Sequence, residues 1–227
     1  MTSIRIYRSV VFTFKYLRIR LFDIALRPVQ FVMRKRRMSN FMSHMDVDKN
    51  ATILDLGGQP TIWSSVNPKL NVTILNLPGI ARRDYESHHN ITYVEGDACN
   101  VTGYEDHSFD IVFSNSVIEH VGDDEKQVEF AQEVMRLGRS YWVQTPSKYF
   151  PIEAHCGMPF WWLYPESLRQ YFISRWRRKL PAWTEMIEGT RVLGTNQLQA
   201  LFPNATVTTE RLLGIPKSYV ACYVGSR

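Results

Sequence analysis

Three cysteines in 227 residues, Cys99, Cys156 and Cys222, are too few, too scattered and odd in number for a disulfide framework. They fit a reducing compartment, and the cytoplasm is the expected location. No run of about eighteen uncharged apolar residues occurs, which is the length a helix needs to cross a bilayer. Arg or Lys recurs every few positions near the start of the chain, so that region does not resemble a cleavable signal either. His88, His89 and the cysteines lack the spacing of a metal-ligand set, so no metal is expected. The Gly-x-Gly-x-x-Gly loop with an acid at the next strand end, which marks a dinucleotide site, is also missing. Internal repeats and low-complexity linkers are absent. Asn-x-Thr triplets stand at Asn50, Asn71, Asn90, Asn100 and Asn204. Without a secretory signal they read as turn asparagines followed by β-branched residues rather than as glycan acceptors.

The net charge of +5 is unevenly spread. Residues 1–38 carry ten Lys or Arg against the single acid Asp23, which gives that segment +9 and leaves −4 for the rest. A mildly acidic body offers no surface for tracking phosphates, so no nucleic-acid partner is expected. In the basic segment Tyr7, Val10, Phe14, Leu17, Leu21 and Ile24 repeat at three- and four-residue spacing, with Arg8, Lys15, Arg18 and Arg20 beside them. That pattern predicts an amphipathic helix broken at Pro28, with Lys35 to Arg37 closing the arm. The stripe has two readings: a lid packed on the body, or a helix lying on an anionic membrane at the inner membrane surface.

From residue 50 onward the pattern alternates between strand and helix, which predicts an α/β fold: a Rossmann-like, doubly wound, mostly parallel seven-stranded sheet with helices on both faces. Strands are expected at 52–56, 72–76, 91–95, 110–114, 140–144, 205–211 and 219–224. Helices should fill the gaps, notably 124–137 behind the acidic start Asp123-Asp124-Glu125. The last two strands should form an antiparallel hairpin through Gly214-Ile215-Pro216-Lys217. The organisation is thus an arm, 1–38, and a domain, 39–227, with 145–201 as an insertion.

Three strand ends carry chemistry: Ile53-Leu54-Asp55-Leu56-Gly57-Gly58, Tyr93-Val94-Glu95-Gly96-Asp97-Ala98, and Phe109-Asp110-Ile111-Val112-Phe113-Ser114-Asn115. In a parallel sheet the carboxyl ends of the strands deliver the ligand site, and glycine lets the backbone approach it closely. This trio resembles the class I S-adenosylmethionine-dependent methyltransferases, in their small-molecule, type 11-like branch. Seven strands is the count that resemblance implies, and S-adenosylmethionine is the cofactor it implies. At the cofactor site this resemblance implies, Asp55 holds water or the amino acid part of the cofactor, Gly57 and Gly58 let the chain turn sharply against it, and Asn76 stands at the ribose where an acid is usual. Asp97 and the backbone of Ala98 face adenine, and Asn115 marks the methyl-donor end. The sequence departs from the family pattern at Gln59 and Thr61, where later glycines would fall. Asn115-Ser116-Val117-Ile118 lacks the proline pair and aromatic of nucleobase amino methyltransferases, which favours a small-molecule or lipid-linked acceptor.

The insertion holds Pro146, Pro151, Pro159, Pro165 and Pro181 among many aromatics, including Tyr149, Phe150, Phe160, Trp161, Trp162, Tyr164, Trp176 and Trp183. Following a central strand, it reads as the wall of the substrate pocket, with a small satellite core as the alternative use of its aromatics. A hydroxyl acceptor needs a base, and His155 or Glu153, directly after the fifth strand, are the candidates, with His120 third. A non-catalytic S-adenosylmethionine-binding or scaffold domain, attached through its arm, is the alternative function.

Overall fold

The computed structural model describes residues 31–80, 86–152 and 158–225. The stripe from Tyr7 to Ile24, Pro28, and the residues Glu153, His155 and Cys156 lie outside them. Seven strands form one sheet: β1 (Thr52–Leu56), β2 (Asn71–Asn76), β3 (Asn90–Glu95), β4 (Phe109–Asn115), β5 (Gly138–Pro146), β6 (Thr206–Leu212) and β7 (Ile215–Tyr223). Their order is β3-β2-β1-β4-β5-β7-β6, parallel except for β7, which runs antiparallel to both β5 and β6. The strand order reverses between β1 and β4, so the loops after these two strands leave toward opposite faces and open a crevice at the carboxyl edge. β1 and β4 are buried nearly throughout because both sheet faces are covered, which is why their sequences read as unbroken apolar runs.

One face is covered by α2 (Asp124–Leu137) and α5 (Thr195–Leu201). Asp123 caps α2 by accepting from Lys126 N at 3.0 Å, and Asp124 and Glu125 complement the positive end of the helix. Phe130, Ala131, Val134 and Leu137 of α2 pack with Leu198 and Phe202 on Leu54, Leu56, Val112 and Val143. α2 runs into β5 at Gly138 with no loop. A Cβ there would fall 2.6 Å from Ser140 O, so only glycine makes the junction.

The opposite face departs from expectation. Helices do not fill every gap: on the α2 side no helix is described between β3 and β4, whose connection packs Cys99 and Val101 against that face, and on this side β1 and β2 are joined by a 3-10 turn, Pro60–Ser65. A helix over residues 31–44, α1, covers the face instead. Its Met38 and Phe41, with Met45 just after it, join Trp63, Ile53, Ile74, Phe113, Trp142 and Val220 in a second core. Phe41 is edge-on to Trp63, Phe113 and Trp142, with ring centroids 5.9, 5.0 and 5.8 Å away. The expected boundary at residue 38 therefore falls inside a helix of the domain. The β1–β2 crossover builds only this single 3-10 turn, and the chain's earlier segment supplies the rest of the layer.

Within the insertion, η-turn Trp161–Leu163, α3 (Glu166–Arg177) and α4 (Pro181–Gly189) form a satellite core. Trp161, Ile173 and Ile187 are buried, and Tyr164, Phe172 and Trp176 pack against them. The hairpin turn is tighter than Gly214 to Lys217: β6 ends at Leu212 and β7 begins at Ile215. Leu213 and Gly214 make the turn at φ 51° and 81°, the left-handed pair that matches strand twist.

Candidate active site at the carboxyl edge

The end of β1 is built around a buried carboxyl group. Asp55 is wholly buried; one oxygen accepts from the Trp63 indole N–H at 2.8 Å, and the other has no hydrogen-bond partner among the described residues. Burial pushes its pKa up to about 8, with the Trp63 hydrogen bond opposing. The two glycines that follow are forced by contacts. Gly57 sits at φ 71°, and a Cβ on it would meet Val117 Cγ2 at 2.5 Å. A Cβ on Gly58 would fall 1.9 Å from Asp55 Oδ2. The Asp55 carboxyl thus lies directly behind the Gly58 backbone.

The glycine turn is tied to β2. Gly57 N donates to Leu75 O at 2.8 Å, and the Asn76 amide Nδ2 donates to Gly58 O at 3.0 Å. A carboxylate at 76 could not donate, so the neutral residue holds the loop and keeps its amide oxygen as an acceptor. Gly57, Gly58, Asn76, Leu77, Ile80 and Tyr93 bound a cavity of about 130 Å³ at this corner. Leu77 and Ile80 give it an exposed apolar rim. Glu95, level with Asn76 in the β2–β3 register, also lines it. Sequence reading passed over Glu95 in favour of the next acid, although Glu95 is the strand's last residue.

The remaining candidates are not in this cavity. Asp97 is an exposed turn residue whose Oδ1 accepts from Cys99 N at 2.9 Å while its carbonyl accepts from Asn100 N at 3.0 Å. Ala98 packs on the core beside it. His120 is exposed after β4, with Nδ1 3.3 Å from Thr190 Oγ1 of the insertion. Its neighbour Glu119, unremarked in the sequence, is wholly buried and accepts from Thr145 Oγ1 at 3.1 Å. Ser116, in the left-handed region at φ 57°, is pinned to Gln144 by N–H to O at 2.9 Å and Oγ to Oε1 at 3.0 Å. His155 and Glu153 lie outside the described residues.

Asn115 is reached from α1. Arg37, buried, donates through Nη1 to Asn115 Oδ1 and through Nε to both Glu210 carboxylate oxygens at 3.0 Å. Its Nη2 bonds the same carboxylate and, at 3.1 Å, Ser218 Oγ, while Ser218 donates to Glu210. Burial alone would raise the Glu210 pKa, but the Arg37 hydrogen bonds and charge hold it below the usual value. The charge cluster at Lys35 to Arg37, expected to close a separate arm, therefore contributes one arginine to the site itself. Its partners are 78 to 181 residues away, and no local pattern signals them.

Residues 73–140 match a family model described as Methyltransferase domain. A phosphoethanolamine N-methyltransferase 2 of Haemonchus contortus, solved with phosphomonomethylethanolamine and S-adenosylhomocysteine, superposes with TM-score 0.55 at 12% identity over 85% of this chain and 52% of its own. The same enzyme with S-adenosyl-L-methionine gives 0.54 at 11% identity, over 84% of this chain and 52% of its own. A chain of the complex between the Haloferax volcanii Trm112 methyltransferase activator and a methyltransferase gives 0.50 at 12% identity, over 82% and 88%. This chain spans about half the length of the Haemonchus enzyme. No curated protein sequence matches it. The structural likenesses establish the fold, and the family match runs from within β2 to the start of β5; the chain has a Rossmann-like methyltransferase fold, and its residues 73–140 match the methyltransferase-domain model.

Proposed function

We propose that the protein is an S-adenosylmethionine-dependent methyltransferase acting on a small-molecule or lipid-linked acceptor. The observation that carries this is the buried Asp55 carboxyl, with one oxygen unpaired among the described residues, held behind a glycine pair beside a cleft at the carboxyl ends of β1, β2 and β3. The Gly57 and Gly58 backbone, with the Asp55 carboxyl behind it, suits the amino acid end of the cofactor, the Asn76 amide oxygen suits a ribose hydroxyl, and Leu77, Ile80 and Tyr93 suit the face of a base. S-adenosylmethionine, when bound, supplies an electrophilic methyl group. The chain's own part is then to fix the acceptor in line and to exclude water, for which orientation is the main lever. Asn115, locked by Arg37, and Ser116, locked by Gln144, are rigid polar groups at the end of β4. His155 and Glu153 remain the proposed bases for a hydroxyl acceptor, with His120 third.

The arm extends this reading. At the start of α1, Phe31 and Val32 are exposed beside exposed Arg34, Lys35 and Arg36. Apolar and basic residues side by side support peripheral contact of residues 1–38 with an anionic membrane, and hence a location in the cytoplasm at the inner membrane surface. No described helix is long and apolar enough to cross a membrane.

One observation favours a second reading, a non-catalytic S-adenosylmethionine-binding or scaffold domain: Gln59 and Thr61 stand where the family's later glycines would fall, and Asn76 where an acid is usual. Calorimetric titration with S-adenosylmethionine, followed by mass spectrometry of cell extract incubated with labelled cofactor, separates the two. Binding with label transfer supports the enzyme, binding without transfer supports the scaffold, and neither removes both.

A further inference from the structure

The corner where β7 meets β5 holds more positive charge than its acid can neutralise. β7 runs antiparallel, so its first residues lie at the carboxyl edge of the parallel strands; Ser218 is level with Pro146, and Lys217 O accepts from Ser147 N at 2.9 Å. The Lys217 side chain makes no ion pair or hydrogen bond with a described residue, although it is half-buried. Its nearest acid, Glu210, is taken up by Arg37 and Ser218. Burial first, then the charges of Arg37 and Arg34, push the Lys217 ammonium down to about 8, with Glu210 opposing. Lys217 thus adds a second cation beside a carboxylate that Arg37 already occupies, and the exposed Arg34 stands one turn before Arg37 on α1. Keeping a partly desolvated ammonium beside guanidinium groups costs stability unless an anion joins them.

Position says what that anion belongs to. The glycine cleft lies at the ends of β1, β2 and β3, on one side of β4, while Lys217 lies at β5 and β7 on the other. With neighbouring strands about 4.8 Å apart, three strand spacings separate β1 from β7, roughly 14 Å. That separation leaves room over β4 for a small acceptor anchored at the far end. We propose that Lys217, backed by Arg34 and Arg37, binds an oxyanion, the carboxylate or phosphate of the methyl acceptor, at the carboxyl edge between β5 and β7. This assignment of the anion to the acceptor rests on the methyltransferase reading. Arg37 itself keeps its fork on Glu210 and Asn115, so Lys217 supplies the point charge and Arg34 the surrounding field.

The test is amide NMR on the full chain, titrated separately with inorganic phosphate, acetate and phosphatidate vesicles, with S-adenosylhomocysteine affinity measured in parallel by calorimetry. Saturable shifts at Ser147 and Ser218 are expected with at least one of the three, and the one that engages tells a free acceptor group from a lipid headgroup. Lys217→Met should weaken that binding at least tenfold and Lys217→Arg should retain it, both with S-adenosylhomocysteine affinity within twofold of wild type. Shifts absent in all three titrations, or equal affinity in a folded Lys217→Met, would overturn the site. Should Lys217→Met not fold, Lys217→Gln takes its place with the same reading. An anion that binds through Lys217 in a chain that ignores S-adenosylhomocysteine leaves the anion site standing and removes the methyltransferase reading.

Discussion

Arg37 in α1 and Asn115 at the end of β4, 78 residues apart, are joined by a hydrogen bond from Nη1 to Oδ1, with Glu210 completing the arginine's fork. The helix that covers one sheet face is thereby fastened to the site at its edge. Removing the arginine leaves a buried carboxylate uncompensated, so Arg37→Met should cost about 3 to 5 kcal/mol in urea denaturation. The pair Arg37→Met with Glu210→Met should recover most of that loss. Because the folded Glu210 pKa is depressed, its stabilisation is present above the ordinary carboxylate value and lost as pH falls below it, and Glu210→Met should flatten that acid limb. A wild-type urea profile in Arg37→Met would mean that the network carries no energy.

Asp55 predicts the opposite slope. Its folded pKa, about 8, lies above the ordinary carboxyl value of 3.8, so the unfolded chain ionises first and stability falls as pH rises between these two values. The slope should approach about 1.4 kcal/mol per pH unit and flatten above pH 8. Asp55→Asn should abolish it while keeping the fold. Urea midpoints from pH 5 to 9 in both proteins check this, and parallel curves would place the ionised form inside the fold.

His89 acts at lower pH. Leu70 N donates to its Nδ1 at 3.3 Å and Nε2 lies 2.9 Å from Trp63 O, so the ring is held neutral with its proton on Nε2. Burial, opposed by the Trp63 hydrogen bond and helped by His88, lowers its pKa from 6.5. Stability should fall as pH drops below that ordinary value, because the unfolded chain protonates first. Nitrogen chemical shifts of the ring should report the Nε2–H form at neutral pH, and a protonated ring there would contradict the bonding.

Leu213 occupies a left-handed turn position and is 94% exposed, so it gains nothing from packing and bears the strain of its backbone. Leu213→Asn should raise stability by about 0.5 to 1 kcal/mol, since Asn-Gly is the preferred pair for such a turn. Thermal unfolding of the variant checks it, and a lower midpoint would contradict the turn geometry.

What could be read from the sequence was local. The capping acids and apolar period place α2 at Asp124–Leu137 as expected, and each strand core lies within a few residues of its apolar run. Chain stretches that rely on distant partners were misread or missed. Met38 looks like the end of a basic arm until the sheet face that it covers, with Phe41 beside it, is seen. Trp161 and Trp176 read from the sequence as pocket wall, with a satellite core as the alternative, and they pack in the satellite core. Asn76 looks like a weakened acid, whereas its N–H donation to Gly58 O requires an amide. Arg37 and Glu119 act through contacts across the chain, and neither spacing nor composition encodes those.

The central claim is that the cofactor lies against Gly58 with Asp55 behind it, and calorimetry of S-adenosylhomocysteine binding to Gly58→Ala tests it most directly. A Cβ at 58 overlaps the Asp55 carboxyl, so the variant must displace one or the other. The account predicts that Gly58→Ala loses at least tenfold in affinity, and that adding Asp55→Ala, which clears the clash and restores stability, does not restore binding. Wild-type affinity in a folded Gly58→Ala, or full recovery in the double variant, would contradict it.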